Sequence, residues 1–572
     1  MILFRHQIAA SLLLSSTLLA SSIGAPASFA QETSQQTIPG SADAGRIEAV
    51  PEDILPPRER PQIVIPRGST PETPVPEGAS DLTFTLEGVN IVGMTAFTEE
   101  DMADIYAPFM DEEIPLSRIW EFAGRITERY QQAGYFLSRA YVPAQEVDGT
   151  VTIHVIEGYV GAVDIESDAP PHRLVAELTH RITSQKPARL ADLERALLLL
   201  NDIHGLSFEA VLGRMEEGAP EEAVRLILKE SETPGRGSIL FNNHGSRFTG
   251  PYRTAFAYET SFIHGQSTAF SGIASIPGGN ELWSLNATHA VQLYPELELG
   301  LSLGRTVSEP GFTLTPNDIE SQSMNWGISL DWQLIRQRQS NLSLGITLDG
   351  RNVNTDILDT PLTRDRIRTL RVKSTYSTSD RFNGYNALNT SISRGLDGLG
   401  ASEPGEPTLS RADAKPDFTI LKATWQRSQF LTADWLLATT LTGQRASKAL
   451  YSSEEFGYGG PSLGRGYDSS EITGDHGIGG AIEAQYRALD PIQDLKLTPI
   501  AFYELGKIWN IDGGQADGLS IANAGIGLNL SHPSGLIGSL TIAQPLSKSI
   551  DTPIYGNNGH NPRIYFQLGW QF

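Results

Sequence analysis

Residues 324–334 read MNWGISLDWQL. Met324, Trp326, Ile328, Leu330, Trp332 and Leu334 alternate with Asn325, Gly327, Ser329, Asp331 and Gln333. In an extended chain this makes one face wholly apolar and the other small or polar. The same alternation runs through LELGLSLG at 297–304 and LSLGITLD at 342–349. About sixteen such segments can be marked between Gly235 and Phe572, at the spacing of tilted membrane strands joined by turns and longer loops. A soluble β-sandwich would also alternate, with its apolar face turned inward. Here the polar face is rich in glycine and serine, and tryptophans recur toward strand ends. The chain closes on RIYFQLGWQF, 563–572, with Ile564, Phe566, Leu568, Trp570 and Phe572 on one face. Such a terminal strand is an aggregation hazard in water, but in lipid, closing a barrel, it is satisfied on all sides. The expected fold is therefore mainly β. Residues 234–572 form a transmembrane antiparallel barrel of about 16 strands, with Trp570 and Phe572 on its last strand.

Upstream, the period changes. LTFTLEGVNIV (82–92) reads as a strand, and TEEDMADIYAPFM (98–110) as a helix with Thr98 and Asp101 at capping-box spacing. A second helix from Ser117 places Ile119, Phe122, Ala123, Ile126 and Tyr130 on one face and stops at Gly134. YFLSRAYVP and TVTIHVIEG then flank Asp148-Gly149 as a hairpin. The order strand, helix, helix, strand, strand recurs at once through VGAVDIE, HRLVAELTHRI, ADLERALLLLNDI, LSFEAVLGRM and EAVRLILKE. The helix-ending glycines (134, 205) and the hairpin glycines (149, 218) are each about 70 residues apart, so one small α/β module occurs twice, at 81–158 and 159–233. Neither copy clusters His, Asp or Glu at ligand spacing; a folded spacer and a peptide-binding module both fit.

The first thirty residues have the form of a secretory signal peptide: Arg5, an apolar run Ile8–Ala20, and Ser28-Phe29-Ala30 as a cleavage site. Residues 31–80 are too proline-rich for regular structure and read as a linker, with at most a short helix in ADAGRIEAV, 42–50. The absence of cysteine excludes disulfides and thiolate metal sites, and a formal net charge of −24 argues against a nucleic-acid partner.

GPSLG at 460–464 matches a nucleophile-elbow pattern, but Pro461 precedes the serine and Gly-Arg-Gly follows it, so no helix starts and no enzyme is expected. The histidines lack metal spacing, and no cofactor is expected. The same stretch, EEFGYGGPSLGRGYDSSEITGD (454–475), is a long glycine-rich loop with no hydrophobic period. If it folds back into the barrel, Arg465 enters the lumen and seeks a carboxylate. Glu504, flanked by Phe502 and Gly506 on the lumen face of its strand, is the first candidate, and Glu483 the second.

Signal peptide, proline-rich linker, tandem modules and barrel together resemble the outer-membrane transporters of two-partner secretion, the hemolysin secretion/activation proteins, whose tandem modules are POTRA domains. The resemblance covers residues 81–572, and its most specific element is the loop: Arg465, Gly466 and Tyr467 match the family's R-G-Y signature. In the family this arginine pairs with the acid of an F-x-D-x-G strand motif. FYELG matches at Phe502 and Gly506 with Glu504 in place of aspartate, and Gly464 stands where a branched apolar residue is common. The resemblance implies residence in the outer membrane of a Gram-negative bacterium, in contact with outer-membrane lipid and inserted by the barrel-assembly machinery. It also implies capture in the periplasm of a large secreted exoprotein, of adhesin or cytolysin type, and its passage through the barrel to the cell surface. Arg465, Gly466 and Tyr467 would form a structural or gating loop. A barrel-assembly factor of the same superfamily is the nearest alternative; a diffusion porin would need no tandem modules.

Overall fold

The computed structural model describes residues 38–47, 55–56, 75–167, 170–276, 281–492, 494–511, 518–547 and 561–572. The expected signal peptide and most of the proline-rich stretch lie outside them.

The first α/β unit packs helices α1 (Glu99–Tyr106) and α2 (Arg118–Gln132) on a sheet of Gly88–Val92, Thr150–Ile156 and Arg139–Tyr141. Thr98 caps α1 through a complete capping box: its N–H donates to the Asp101 carboxylate at 2.8 Å, and its hydroxyl accepts from the Asp101 N–H. LTFTLEGVNIV breaks into two strands. Leu86 turns into the core, and Thr83–Thr85 leaves the main sheet to pair with Glu113–Pro115. Met102, Ile119, Phe122, Ile126 and Tyr130 from the helices meet Val151 and Ile153 in the core, each side chain worth roughly 1.5–3 kcal/mol of apolar burial. The second unit repeats the arrangement with α3 (Arg173–Ser184) and α4 (Leu190–Leu200) on strands 159–166, 223–232 and 206–214. Gly134 directly follows the cap of α2 at φ 91°, the left-handed conformation that ends the helix at little steric cost; Gly205, at φ 84°, lies four residues past Asn201, the cap of α4, in the turn that leads into strand 206–214.

A closed barrel of 16 antiparallel strands follows, from Arg236–Asn242 to Arg563–Gln571. Its outer face carries the expected apolar rows: Leu301, Leu303, Met324, Ile328, Leu330 and Trp332 stand exposed while their neighbours along each strand face inward. In the last strand Ile564, Leu568, Trp570 and Phe572 point outward in the same way. Closure is a short ladder pairing Gln567–Gln571 with Ser238–Asn242. Above it the Asn243 side chain continues the zip, donating to the Ile564 carbonyl at 2.8 Å and accepting from the Phe566 N–H at 2.7 Å.

The second unit is bolted to the barrel rim. The Arg336 guanidinium donates to both Asp202 carboxylate oxygens at 2.6 and 2.7 Å, Arg181 pairs with Glu296, and His204 Nε2 lies 2.7 Å from Glu298. These contacts hold the second unit at one end of the barrel. Inside the barrel lie residues 39–47. The short helix expected over ADAGRIEAV is not formed in its described part: Gly40–Arg46 makes successive turns, closed by the Ala42 and Arg46 N–H groups on the Pro39 and Asp43 carbonyls, and other carbonyls of the segment bond to the lumen wall. Arg351 donates to the Gly45 carbonyl at 2.9 Å, and Ser246 to the Ser41 carbonyl at 3.2 Å.

Candidate functional site

The connection from Ala446 to His476 folds into the barrel as a hairpin, with Phe456–Tyr458 paired to Ile472–Gly474 at its stem. Tyr458 is buried in a slot on the wall. A Cβ at Gly506 would lie 2.4 Å from the Tyr458 ring, and one at Gly479 2.7 Å from it, so these glycines are what let the hairpin lie flat against the strands. At the tip Gly464 takes φ +96°, and a Cβ there would meet the Gly459 backbone at 2.8 Å. This turn admits no branched side chain, which gives a physical reason for the sequence's departure at 464.

The turn delivers Arg465 onto the two carboxylates that sequence offered as first and second candidates, and it binds both. Arg465 Nε donates to Glu504 Oε1 at 2.7 Å, and Nη1 donates to Glu483 Oε2 at 2.7 Å. The second Glu504 oxygen accepts the Arg465 and Gly464 backbone N–H groups at 2.8 and 2.9 Å. The guanidinium carbon lies 3.5 Å from the centroid of the Phe502 ring, in cation–π contact. Glu504 is completely buried, and a buried carboxylate persists only when its lone pairs are filled. Here it receives three donors. The alternation of FYELG puts Phe502 and Glu504 on one face, so one strand supplies both the ion partner and the aromatic floor.

Gly466 approaches the wall so closely that a Cβ would lie 2.7 Å from Asn523. Tyr467 is fully buried and donates its hydroxyl to the Ala522 carbonyl at 3.0 Å. The next residue forms a second cluster that sequence reasoning missed. Asp468, 1% exposed, accepts from Arg563 at 2.7 Å and lies 3.5 Å from Arg247. Arg563 opens the last strand and Arg247 follows the first, so Asp468 ties the loop to both sides of the closing seam. The signal was present: Arg563 falls on the lumen side of the alternation that sends Ile564 to lipid, the same argument that picked out Glu504.

A third cluster lies where the loop meets residues 39–47. Arg46 donates to Glu455 at 3.0 Å, and the other Glu455 oxygen lies 3.1 Å from Arg411. Arg411, on the connection 396–418, also pairs with buried Asp475 at 2.5 Å. Leu409, Ala414 and Phe418 of that connection pack on Ile367, Leu450 and Tyr451, covering the barrel end opposite the modules. The lumen is therefore filled by the chain's own segments, held by ion pairs and glycine-permitted contacts. Among the described residues no group of three or more His, Asp or Glu is placed to hold a metal ion.

Comparison with known proteins gives a consistent result. Residues 294–530 match the family described as haemolysin secretion/activation protein ShlB/FhaC/HecB, and residues 84–158 match the ShlB-type POTRA domain. The heme/hemopexin transporter protein HuxB of Haemophilus influenzae is 24% identical, over 82% of this chain and 85% of its own. The outer membrane transporter CdiB of Dickeya dadantii is 21% identical over 81% and 83%. The solved structure of CdiB from Escherichia coli superposes with a TM-score of 0.70 at 18% identity, covering 90% of this chain and 94% of that one, and so shares the fold.

Proposed function

We infer that this chain, which belongs to the haemolysin secretion/activation protein family (ShlB/FhaC/HecB), moves a secreted partner protein from the periplasm through its barrel to the cell surface. It is an outer-membrane transporter with its α/β modules on the periplasmic side. The observation that carries the inference is a lumen occupied by removable polar segments beneath modules fixed to its periplasmic mouth. Residues 39–47 offer mostly small side chains beside Asp43, Arg46 and Ile47, and their polar contacts with the wall and the loop are hydrogen bonds and one ion pair. Such a plug loses little on leaving, because each freed charge and carbonyl is taken up by water. Loop 447–475 is anchored more heavily, through buried Tyr458 and Tyr467 as well as Arg465, and it is the part that would shift within the lumen while cargo passes. In this reading Arg465, Gly466 and Tyr467 form the gating element, with Glu504 and Glu483 as its lumen partners.

The cargo is a large exoprotein of adhesin or cytolysin type that enters unfolded, its extended backbone captured by the exposed sheet edges 206–214 and 139–141. A diffusion porin is disfavoured by the filled lumen. The test is deletion of residues 81–230 in a strain that makes the exported partner. The barrel should still insert and the partner should remain in the periplasm; export at the normal level would reduce the modules to spacers.

A further inference from the structure

On three strands of the barrel the outward row ends, at the extracellular side, in a cation. On strand 384–395 exposed Ile392 is followed two residues on by exposed Arg394. On strand 435–446 exposed Leu441 is followed, past Gly443, by exposed Arg445. On strand 495–509 Tyr503 and Leu505 are followed by exposed Lys507. Each cation takes the first charged outward position beyond the apolar band. The register joins them into one arc: Arg394 faces Thr419, Leu421 faces Arg445, and Ile478 faces Lys507 on the intervening strands. Successive cations are two strands apart, about 10 Å along the wall. These strand ends lie opposite the turns that hold the second α/β unit, so the arc borders the outer leaflet.

The arc is unusual for this chain. The formal net charge is −24, and several arginines of the lumen and the rim that bears the second α/β unit are spent on carboxylates: Arg371 on Asp349 and Glu454, Arg411 on Glu455 and Asp475, Arg465 on Glu504 and Glu483, Arg336 on Asp202. Among the described residues no carboxylate lies within ion-pair distance of Arg394, Arg445 or Lys507. The nearby Asp417 pairs with Lys448 at 2.5 Å and feels the Arg394 charge only through space. Arg394 donates only to the Thr419 hydroxyl, and Lys507 lies 5.2 Å from the centre of the Trp509 ring, an aromatic of the kind that marks the headgroup level.

We propose that Arg394, Arg445 and Lys507 form a binding site for a bis-phosphorylated glycolipid headgroup of the outer leaflet, seated beside the extracellular mouth. Two phosphates on one sugar headgroup can each meet a cation of the arc, with guanidinium forks taking phosphate oxygens in pairs while the acyl chains lie on Ile392, Leu421, Leu441, Ile478 and Leu505. The site sits on the strands that carry the 396–418 and 447–475 connections, so an occupied headgroup would brace the covered end of the pore. It rests on the barrel standing in the outer membrane and not on the secretion role, so lipid binding and export are separate readouts.

The test uses the full chain in detergent, wild type and Arg394→Gln/Arg445→Gln/Lys507→Gln, titrated with a bis-phosphorylated lipid A, its mono-phosphorylated form and inorganic phosphate. The triple variant should bind the bis-phosphorylated lipid about a hundredfold more weakly, each cation near an anionic surface being worth about fivefold. The mono-phosphorylated lipid should bind wild type more weakly than the bis-phosphorylated one, and inorganic phosphate should give no saturable protection. Equal lipid binding by variant and wild type, or equal protection by inorganic phosphate, would overturn the proposal. If the triple variant fails to form a heat-modifiable barrel, Arg445→Gln alone carries the test, with a loss of about fivefold expected and no loss overturning it.

Discussion

Replacing Arg465 with alanine should release the loop tip while leaving the barrel intact. Among the described residues the guanidinium is the only side-chain cation on Glu504, whose carboxylate is fully buried and would keep the backbone donors of residues 464 and 465. Removing one partner of a buried pair typically costs ~3–5 kcal/mol. Glu483 loses its cation too, but at 16% exposure it is partly hydrated and adds only about 1 kcal/mol. Water entering the space left by the guanidinium offsets part of this sum, and a net penalty of about 3 kcal/mol on the docked state corresponds to a shift of about a hundredfold toward the undocked loop. The chain contains no cysteine, so a single Asn523→Cys placed under Gly466, at a position with no solvent exposure, reports undocking as its rate of maleimide labelling from the cell surface. Arg465→Ala should raise that rate about a hundredfold. Glu504→Ala should raise it less, because Arg465 keeps Glu483 and the Phe502 ring, and Glu483→Ala least. Arg465→Ala/Glu504→Ala should label little faster than the arginine variant alone, since the two act as one unit. A labelling rate unchanged by Arg465→Ala, or fully additive effects in the double variant, would refute the reasoning.

Three further outcomes are expected. Deleting Arg563–Phe572 should abolish the heat-modifiable barrel on gels, because strand Arg236–Asn242, whose Gly237 pairs with Phe572, would be left as an open edge in lipid. Asp202→Asn should loosen the second α/β unit from the rim by about 1 kcal/mol, seen as faster hydrogen exchange in α4 and its following turn and mimicked by high salt. In the first unit, burial would raise the Glu157 pKa, but hydrogen bonds from Thr95, Tyr130 and the Ala96 N–H hold it below its ordinary 4.5. A depressed folded pKa means stability that is present above the unfolded value and is lost as pH falls through the folded one. Hydrogen exchange in α2 should therefore accelerate on acidification below about pH 4.5, and Glu157→Gln should flatten that dependence.

Alternation is a local property, and in lipid it has one solution. Residues 297–349 and 563–572 therefore announced a barrel from the sequence alone, because backbone polar groups in hydrocarbon must pair in a closed sheet. Gly134, Gly205, Gly149 and Gly218 announced a repeated α/β unit for a similar reason: helix stops and hairpins are written in neighbouring residues. Glu504 was also legible, since a mid-strand acid on the lumen face demands a partner.

What sequence could not decide was which distant groups the loop would meet. Glu483 and Glu504 looked like alternatives because each alone satisfies an arginine, yet they stand on adjacent strands and flank a single guanidinium. Asp468 gave no local sign of its tie to Arg563 and Arg247, which are brought together only when the first and last strands meet. ADAGRIEAV had helical composition, but residues 40–46 lie against a wall of donors that takes their carbonyls, and those bonds outweigh a weak local preference. Local patterning set the elements and their faces; the cross-lumen charge pairing, which depends on three-dimensional proximity across hundreds of residues, was decided by barrel closure.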